Sequence, residues 1–552
     1  MRSALISIGI ALSGHLVVGQ QTVGLFAYEE GAYDGYTLFA PTGYEHTYLI
    51  DNCGMLINEW ISPHTPGMSA YLLPDGDLLR AARISSTFNG GGSGGRIERY
   101  GWDGEIEWHI NYSSGGYHQH HDIEPLPNGN LLVIAWERRT IEEAVAAGRK
   151  PELLTATGLW PEHIVEVKPV GEDDFQVVWI WHLWDHLVQD FDSTRANFGD
   201  VAAHPELVDL NYVGPNGPGA DWIHLNSINY NPVLDQILVS SRHFNEIWII
   251  DHSTTTEEAA GHSGGNSGKG GDLLYRWGNP EVYRRGTAED RRLFGQHDAR
   301  WIEEGRPGAG HIMVYNNGFG RPTGTYSSVD VLVPPLVDNG TYAIEVDSAF
   351  GPDTAIWTYS GMPDNAFFSN RISGGQRQPN GNTLVCVGTQ GRFFEIDTAG
   401  QIVWDYQSPV GTNGPVPQGE TAVLDDVFKI ERYPPDFPGF AGRDLTPMEP
   451  VELDPWPSDC MIFSDTITIV NGVATDRTFR VFPNPAARSF RITAIDAERS
   501  DVQVRDLSGR IVFEVREVEF PLDISSVHWP AGVYLVGITL PHGIRTFKLI
   551  KQ

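Results

Sequence analysis

A short phrase repeats along this chain and restricts its fold more than any other feature. Leu73-Pro74-Asp75-Gly76-Asp77-Leu78-Leu79 is answered by Leu126-Pro127-Asn128-Gly129-Asn130-Leu131-Leu132 and by Gln378-Pro379-Asn380-Gly381-Asn382-Thr383-Leu384. Asp-Gly and Asn-Gly tolerate the positive φ of tight hairpin turns, and the residues that follow suit a buried strand. A second phrase is a Gly turn followed by a strand bearing Trp: Gly104-Glu105-Ile106-Glu107-Trp108 and Gly400-Gln401-Ile402-Val403-Trp404. Leu273-Leu274-Tyr275-Arg276-Trp277 is a looser copy, after a Gly-rich loop at 260–271. Antiparallel strands joined by short turns and echoed at intervals predict an all-β chain, a β-propeller that closes on itself and so protects its edges. The irregular spacing does not set the number of blades, and an array of two-sheet sandwiches is the structural competitor.

The chain has 552 residues, more than one ordinary domain, and its 16 Trp, 61 Gly and 36 Pro fit turn-rich β structure. The propeller is expected over 21–435. Residues 436–477, with Pro438, Pro447, Pro450, Pro455 and Pro457, read as a Pro/Asp-rich linker. Residues 478–552 alternate apolar and polar residues in short runs (479–482, 489–493, 502–506, 511–515, 533–538 and 546–550) and predict a small C-terminal β-sandwich. Residues 1–20 read as an export signal: Arg2 leads a mostly apolar run from Ala4 to Val18, and Val17 and Gly19 are small enough for a cleavage site before Gln20. No other stretch approaches the length of an apolar membrane span.

The net charge of −33 argues against nucleic acid as a partner, since neutralising phosphates needs clustered Lys and Arg. It also means that any site for an anion must be locally positive. The three cysteines, Cys53, Cys386 and Cys460, have no metal-ligand spacing, and one of them is left over from any intramolecular pair. A Cys53–Cys386 bridge would join early and late parts of the ring.

Histidine carries the chemistry. His118-Gln119-His120-His121-Asp122-Ile123 precedes an echo strand, and Asp221-Trp222-Ile223-His224-Leu225-Asn226-Ser227 sets His224 and Asn226 on one face of a strand. Ser240-Ser241-Arg242-His243 and Gly295-Gln296-His297-Asp298 follow. Strand ends from different blades meet at a propeller's channel, so these groups can share one pocket. Several imidazoles, a guanidinium and an amide suit a tetrahedral oxyanion. His120, His121, Asp122, His224 and His297 also form a reasonable zinc set, although no compact motif such as HExxH accompanies them. His15, His64, His204, His252 and His262 read as ordinary structural residues.

Two resemblances sharpen this. The C-terminal unit is similar to the type IX secretion sorting domain, through Phe482-Pro483-Asn484-Pro485, Asp506-Leu507-Ser508-Gly509-Arg510, Pro530-Ala531-Gly532-Val533-Tyr534-Leu535-Val536 and Lys548-Leu549-Ile550-Lys551. This implies Sec export, then translocation across the outer membrane to the surface or exterior. Over residues 40–420 the body resembles the bacterial arylsulfate sulfotransferases, through the histidine motifs above and Gly374-Gly375-Gln376-Arg377-Gln378-Pro379-Asn380-Gly381-Asn382. That resemblance implies six blades and ping-pong transfer of a sulfuryl group from a phenolic sulfate ester to a phenol, without nucleotide, metal or other cofactor. By motif, His297 matches the nucleophile that becomes sulfurylated. His224, Asn226 and Arg242 match the residues that hold the sulfuryl oxygens, and a fourth position falls on His120 or His121.

One departure is that no Cys pair precedes His297, which predicts a differently shaped loop at 280–296 and a different acceptor preference. Trp222, Phe294, Phe367 and Phe368 are candidate walls for an aryl ring. The expected partners are small phenolic donors and acceptors and the secretion machinery, and a homodimer is compatible with all of this. The rival readings are a secreted propeller hydrolase or metal-dependent lyase, and a non-catalytic propeller that binds glycans or proteins.

Overall fold

The computed structural model describes residues 21–462 and 479–551, apart from 216, 338–339, 459, 483–485, 487, 495–498, 507–509 and 541–542. The export signal expected over 1–20 lies outside them, as do parts of two sorting motifs. The chain divides at residues 465 and 466 into two compact units.

The first unit is a ring of six antiparallel sheets, each with four radial strands. Blade 1 consists of Val427–Tyr433, Tyr36–Pro41, His46–Ile50 and Leu56–Ile61, from the channel outwards. Blades 2 to 5 follow in sequence, with innermost strands Pro66–Leu72, Tyr117–Pro125, Leu225–Asn231 and His297–Trp301. Blade 6 begins at Gly374–Arg377 and takes a fifth strand, Gly24–Tyr28, on its outer edge. The ring is thus closed twice by the two ends of the unit, which leaves no open sheet edge between first and last blades. The six innermost strands neighbour one another in order and wall a central channel.

The repeated phrases are hairpin turns with one geometry. Leu73, Leu126 and Gln378 each donate a backbone N–H to the carbonyl four residues on, at 2.8–2.9 Å. Gly76, Gly129 and Gly381 sit at φ 92°, 83° and 93°, the left-handed region that glycine adopts without steric cost. The Trp of the second phrase has a defined place: it lies on the fourth strand of its blade, which is the outermost except in blade 6, where Gly24–Tyr28 lies beyond it. Trp60, Trp181, Trp277 and Trp404 occupy that strand in blades 1, 3, 4 and 6. Each indole N–H donates to a carbonyl of the next blade, Gly101, Gly271, Pro352 and Asn52 respectively, at 2.7–2.9 Å. A net ~1 kcal/mol for each such bond, added to burial of the ring, fastens blade to blade.

Cysteine pairing departs from the expectation. Cys53 bonds to Cys460, with Cα atoms 5.8 Å apart, while Cys386 is a free, buried thiol on the second strand of blade 6. Cys386 packs among Phe39, Phe393 and Trp404, where its sulfur lies 3.8 Å from the Val427 carbonyl and has no route to Cys53. The Pro/Asp-rich stretch starts out held to the ring: Phe440 is buried with Leu38, Trp60 and Tyr100, and Pro450 bridges to Met55.

The second unit is a two-sheet sandwich. Three strands (Phe479–Phe482, Ser489–Ala494, Leu522–Ser525) form one sheet. Four (Ile511–Val518, Ser500–Asp506, Gly532–Leu540, Gly543–Lys551) form the other. Phe490, Ile492, Val502, Val504, Ile524, Val536 and Ile538 fill the core between them. No described helix is long and apolar enough to cross a membrane.

Candidate active site

The innermost strands are not regular. Opposite the single residue Ile134, blade 3 places His120, His121 and Asp122. Opposite Val314, blade 5 places Asp298 and Ala299. Blade 4 inserts Asn226 between Leu225 and Ser227. Left-handed backbone falls at non-glycine residues in these bulges, His121 at φ 54° and Asp298 at 50°, and just before the innermost strands of blades 4 and 6, His224 at 57° and Ile372 at 50°. Such conformations cost on the order of 1–3 kcal/mol each and concentrate at functional sites. Here they break the alternation of the strand, so sequence neighbours leave the wall in different directions.

One end of the channel collects the histidines. The ring centroids of His121 and His224 are 4.6 Å apart, and His224 stacks on His243 at 4.7 Å. His120 lies behind His121, their Nδ1 atoms 2.8 Å apart, and stacks on Trp136 at 4.0 Å. Of this pair, His121 is the one within electrostatic reach of His297 and Arg242. His224 Nδ1 meets Asp221 Oδ2 at 2.6 Å, and Asp221 Oδ1 accepts from the Trp136 indole. Burial alone would raise the Asp221 carboxyl, but His224, His243 and His120 around it hold it well below the usual range.

His297 opens the innermost strand of blade 5 and is 2% exposed. Its Nδ1 faces Asn317 Oδ1 at 2.8 Å and the Gly295 carbonyl at 3.1 Å. The Asn317 amide nitrogen donates to the carbonyls of Ser369 and Ile372, so its oxygen must be the atom that faces the ring. Both neighbours of Nδ1 are therefore acceptors. Nδ1 carries the proton, and the lone pair sits on Nε2, which accepts the Ile372 N–H at 3.2 Å. Burial, then the nearby Arg242, push His297 well below an ordinary histidine, so the ring is neutral at physiological pH.

Arg242 follows the second strand of blade 4, and its backbone N–H bonds the His224 carbonyl at 3.1 Å. Its guanidinium forms no hydrogen bond or ion pair among the described residues and lies 5.7 Å from the ring centroid of Phe319. Asn226 donates one amide N–H to the Gln296 carbonyl at 2.8 Å, tying blade 4 to the residue before His297. Within a chain of net charge −33, Arg242 brings to these imidazoles a guanidinium without an ion pair.

A glycine-rich loop covers this cluster. The Gly92 carbonyl accepts the His121 N–H at 2.7 Å, and a Cβ at Gly92 would lie 2.2 Å from the His121 ring. A Cβ at Gly91 would lie 3.4 Å from His224. The segment 90–95 therefore needs glycine for close approach, a role that composition alone did not single out.

The structure thus brings together His121, His224, Arg242, Asn226 and His297, with His120 behind them. Asp122 is not among them: its Oδ2 pairs with Lys429 at 2.9 Å, away from the imidazoles, so the five-residue zinc set is not assembled. Trp222 and Phe367 are core residues, and Phe294 lies among Arg291 and Arg321. The aromatic beside the guanidinium is Phe319, 44% exposed, which sequence reading passed over. Asn317, Asp221 and His243 were also missed as parts of the site. Asn317 has no motif signal, whereas Asp221, three residues before His224, stood in a segment already singled out.

Residues 92–405, more than half of the chain, match the arylsulfotransferase family (ASST). Residues 480–552 match the secretion system C-terminal sorting domain, which directs the chain through type IX secretion to the cell surface or exterior. The arylsulfate sulfotransferase AssT of Escherichia coli O6:H1 is 25% identical over 257 residues, 43% of this chain and 40% of that protein. The match therefore spans about two fifths of that relative's length. Among solved structures, a Bacteroides caccae protein of unknown function has 12% identity and a TM-score of 0.39, covering 72% of this chain and 98% of its own. A β-propeller domain from Myceliophteria thermophila has 9% identity and a TM-score of 0.32, covering 70% and 86%.

Proposed function

The chain belongs to the arylsulfotransferase family, and on that footing we propose that it moves a sulfuryl group from an aryl sulfate to a phenol through Nε2 of His297. The observation that carries this reading is the fixed tautomer of His297. A neutral imidazole whose Nδ1–H is held by Asn317 and Gly295 keeps its lone pair at Nε2 and needs no prior deprotonation to attack once the substrate takes the place of the Ile372 N–H that bonds it.

Sulfuryl transfer, like phosphoryl transfer, spreads charge over three oxygens while the attacking and leaving atoms lie in line, so positioned donors do most of the work. Arg242, His121, His224 and the second amide N–H of Asn226 are the donors available around Nε2. In the first half-reaction the Nε2–S bond forms and the S–O(aryl) bond breaks. The departing phenolate takes the Nε2 proton of a His224 imidazolium, whose Nδ1–H is anchored by the Asp221 carboxylate, leaving His224 neutral. In the second, an acceptor phenol gives its proton back to His224 and attacks sulfur, restoring His297. Phe319, exposed beside Arg242, is the surface on which an aryl ring stacks.

The test is to incubate the protein with 4-nitrophenyl sulfate without acceptor and examine the His297 peptide by mass spectrometry. We expect one added sulfuryl group, which leaves on addition of phenol. Release of nitrophenol with no label on that peptide, or equal labelling of His297→Asn, would overturn the assignment. One observation favours the rival metal-dependent hydrolase: the ligand atoms of Asp221, His224 and His243 lie within 4.8 Å of one another. Activity that vanishes on chelation and returns with metal would establish that rival.

A further inference from the structure

Away from the channel, blade 3 brings three potential ligands together on adjacent strands: Glu137, His163 and His182. Glu137 ends the second strand, His163 is the second residue of the third, and His182 ends the fourth directly across from His163. His182 Nδ1 lies 2.9 Å and His163 Nδ1 3.8 Å from the same oxygen, Glu137 Oε2. The two imidazole centroids are 5.4 Å apart.

Most of the polar atoms around this point are occupied. Glu137 Oε1 accepts from Arg139 at 2.8 Å, which fixes the carboxylate and leaves Oε2 towards the rings. His163 Nε2 meets the Tyr112 hydroxyl at 2.8 Å. The exception is His163 Nδ1, which has no hydrogen-bond partner although its residue is 2% exposed. A buried nitrogen without a partner costs on the order of 1–3 kcal/mol, and it is aimed at a carboxylate oxygen too distant to bond.

We propose that Glu137, His163 and His182 bind a divalent first-row transition metal, of which Zn2+ fits best. Two imidazole nitrogens and one carboxylate oxygen are a recognised zinc donor set with the fourth position left to water. Ligand atoms about 2.0–2.1 Å from a tetrahedral ion stand about 3.3 Å from one another, and the two separations here, 2.9 and 3.8 Å, straddle that value. The Tyr112 and Arg139 contacts are outer-shell hydrogen bonds of the kind that orient metal ligands. His182, partly exposed, gives the ion access from solvent. The ion pins three of the four strands of blade 3, whose innermost strand carries His120 and His121.

A second cluster, His186, His262 and Asp272, is compact too, but none of its atoms is buried without a partner: both His186 nitrogens and His262 Nδ1 are bonded. It serves as the control.

The experiment uses the full chain, stripped with a chelator, titrated with Zn2+ and desalted before metal analysis. Co2+ absorption in the visible reports ligand geometry. One Zn2+ retained per chain is expected, with a higher Tm in zinc than in chelator. His182→Gln changes a partly exposed side chain, and its fold is checked by its Tm in chelator. It is expected to lose at least tenfold in affinity and the zinc-dependent Tm shift, as is Glu137→Gln, while His262→Gln retains both. Absence of retained zinc in the wild type overturns the proposal. So does zinc binding that survives both blade 3 variants or disappears in His262→Gln.

Discussion

The two ends of the channel are built from the same six strands and solve opposite problems. His121 and His297 face one end, while their successors Asp122 and Asp298 face the other. At the second end, Lys429 reaches Asp122 at 2.9 Å and Asp298 at 3.7 Å, and Tyr71 bridges Lys429 and Asp122. Arg300 bonds both Asp298 and Glu431 at 2.7 Å. A cavity of about 330 Å3 opens there, lined by residues from all six blades. Phe428 separates the two ends, its ring 6.1 Å from that of His121 and 5.9 Å from the Lys429 ammonium. Nearly every charge in that cavity has a partner. At the histidine end His120 Nε2 and Asn226 Oδ1 have none, and the Arg242 guanidinium is unpaired. Burial with completed pairing holds the ring together, whereas a guanidinium left without an ion pair is the donor a passing anion needs.

Substitutions that separate stability from turnover test this contrast. The largest effect is expected from His297→Asn: kcat for aryl sulfate should fall at least about 10^4-fold, as when a nucleophile is removed, with an unchanged denaturant midpoint. A comparable loss of stability would place His297 with the structural charges instead. Lys429→Met should do the reverse. It leaves Asp122 and Asp298 buried beside one fewer cation, so about 3–5 kcal/mol of stability should disappear in urea titrations, with kcat per folded molecule close to wild type. Arg242→Gln should lower kcat by about 10^2–10^3-fold, the usual cost of a lost transition-state donor, and barely move the unfolding curve.

The smallest effect per group is on pH. Burial holds His118 down to about 4 and His243, flanked by His224, to about 3, and lowers His120, His121 and His297 as well. Unfolded histidines take up protons below about pH 6.5 while these folded ones do not, so stability rises with pH in that window. It is lost as pH falls from about 6.5 towards the folded values, by at most about 1.4 kcal/mol per unit for each histidine. A thermal midpoint that rises on acidification from pH 6.5 to 5 would contradict buried neutral imidazoles.

Much of the ring could be read from the sequence, because turns are local. Asp-Gly and Asn-Gly announced three hairpins, and Trp108, Trp277 and Trp404 announced the fourth strands of their blades. Trp60, Trp181 and Trp357 hold the same position in their blades without the Gly phrase before them, and so escaped notice. In the C-terminal unit the strand Leu522–Ser525 was passed over. The histidines of the site were legible as residues; their directions were not, since the left-handed bulges that turn His121 away from Asp122 leave no mark in composition. Asn317 was illegible for a different reason: it acts by presenting an amide oxygen to another residue's ring, and only the two carbonyls that claim its nitrogen reveal this. The cysteine pairing failed because Cys460 lies in a stretch that read as linker.

Blade 1 is assembled from both ends of its unit, and this fixes when the protein can become competent. Phe428 and Lys429 belong to a strand that follows almost everything else in the ring, and the partner of Cys53 comes later still. A chain synthesised from its N-terminus holds five blades' worth of sequence and an unsealed channel until that strand is added. Completion of the pocket is deferred until the final segment of the ring has been delivered, and any truncation before residue 433 removes part of the channel wall as well as the clasp.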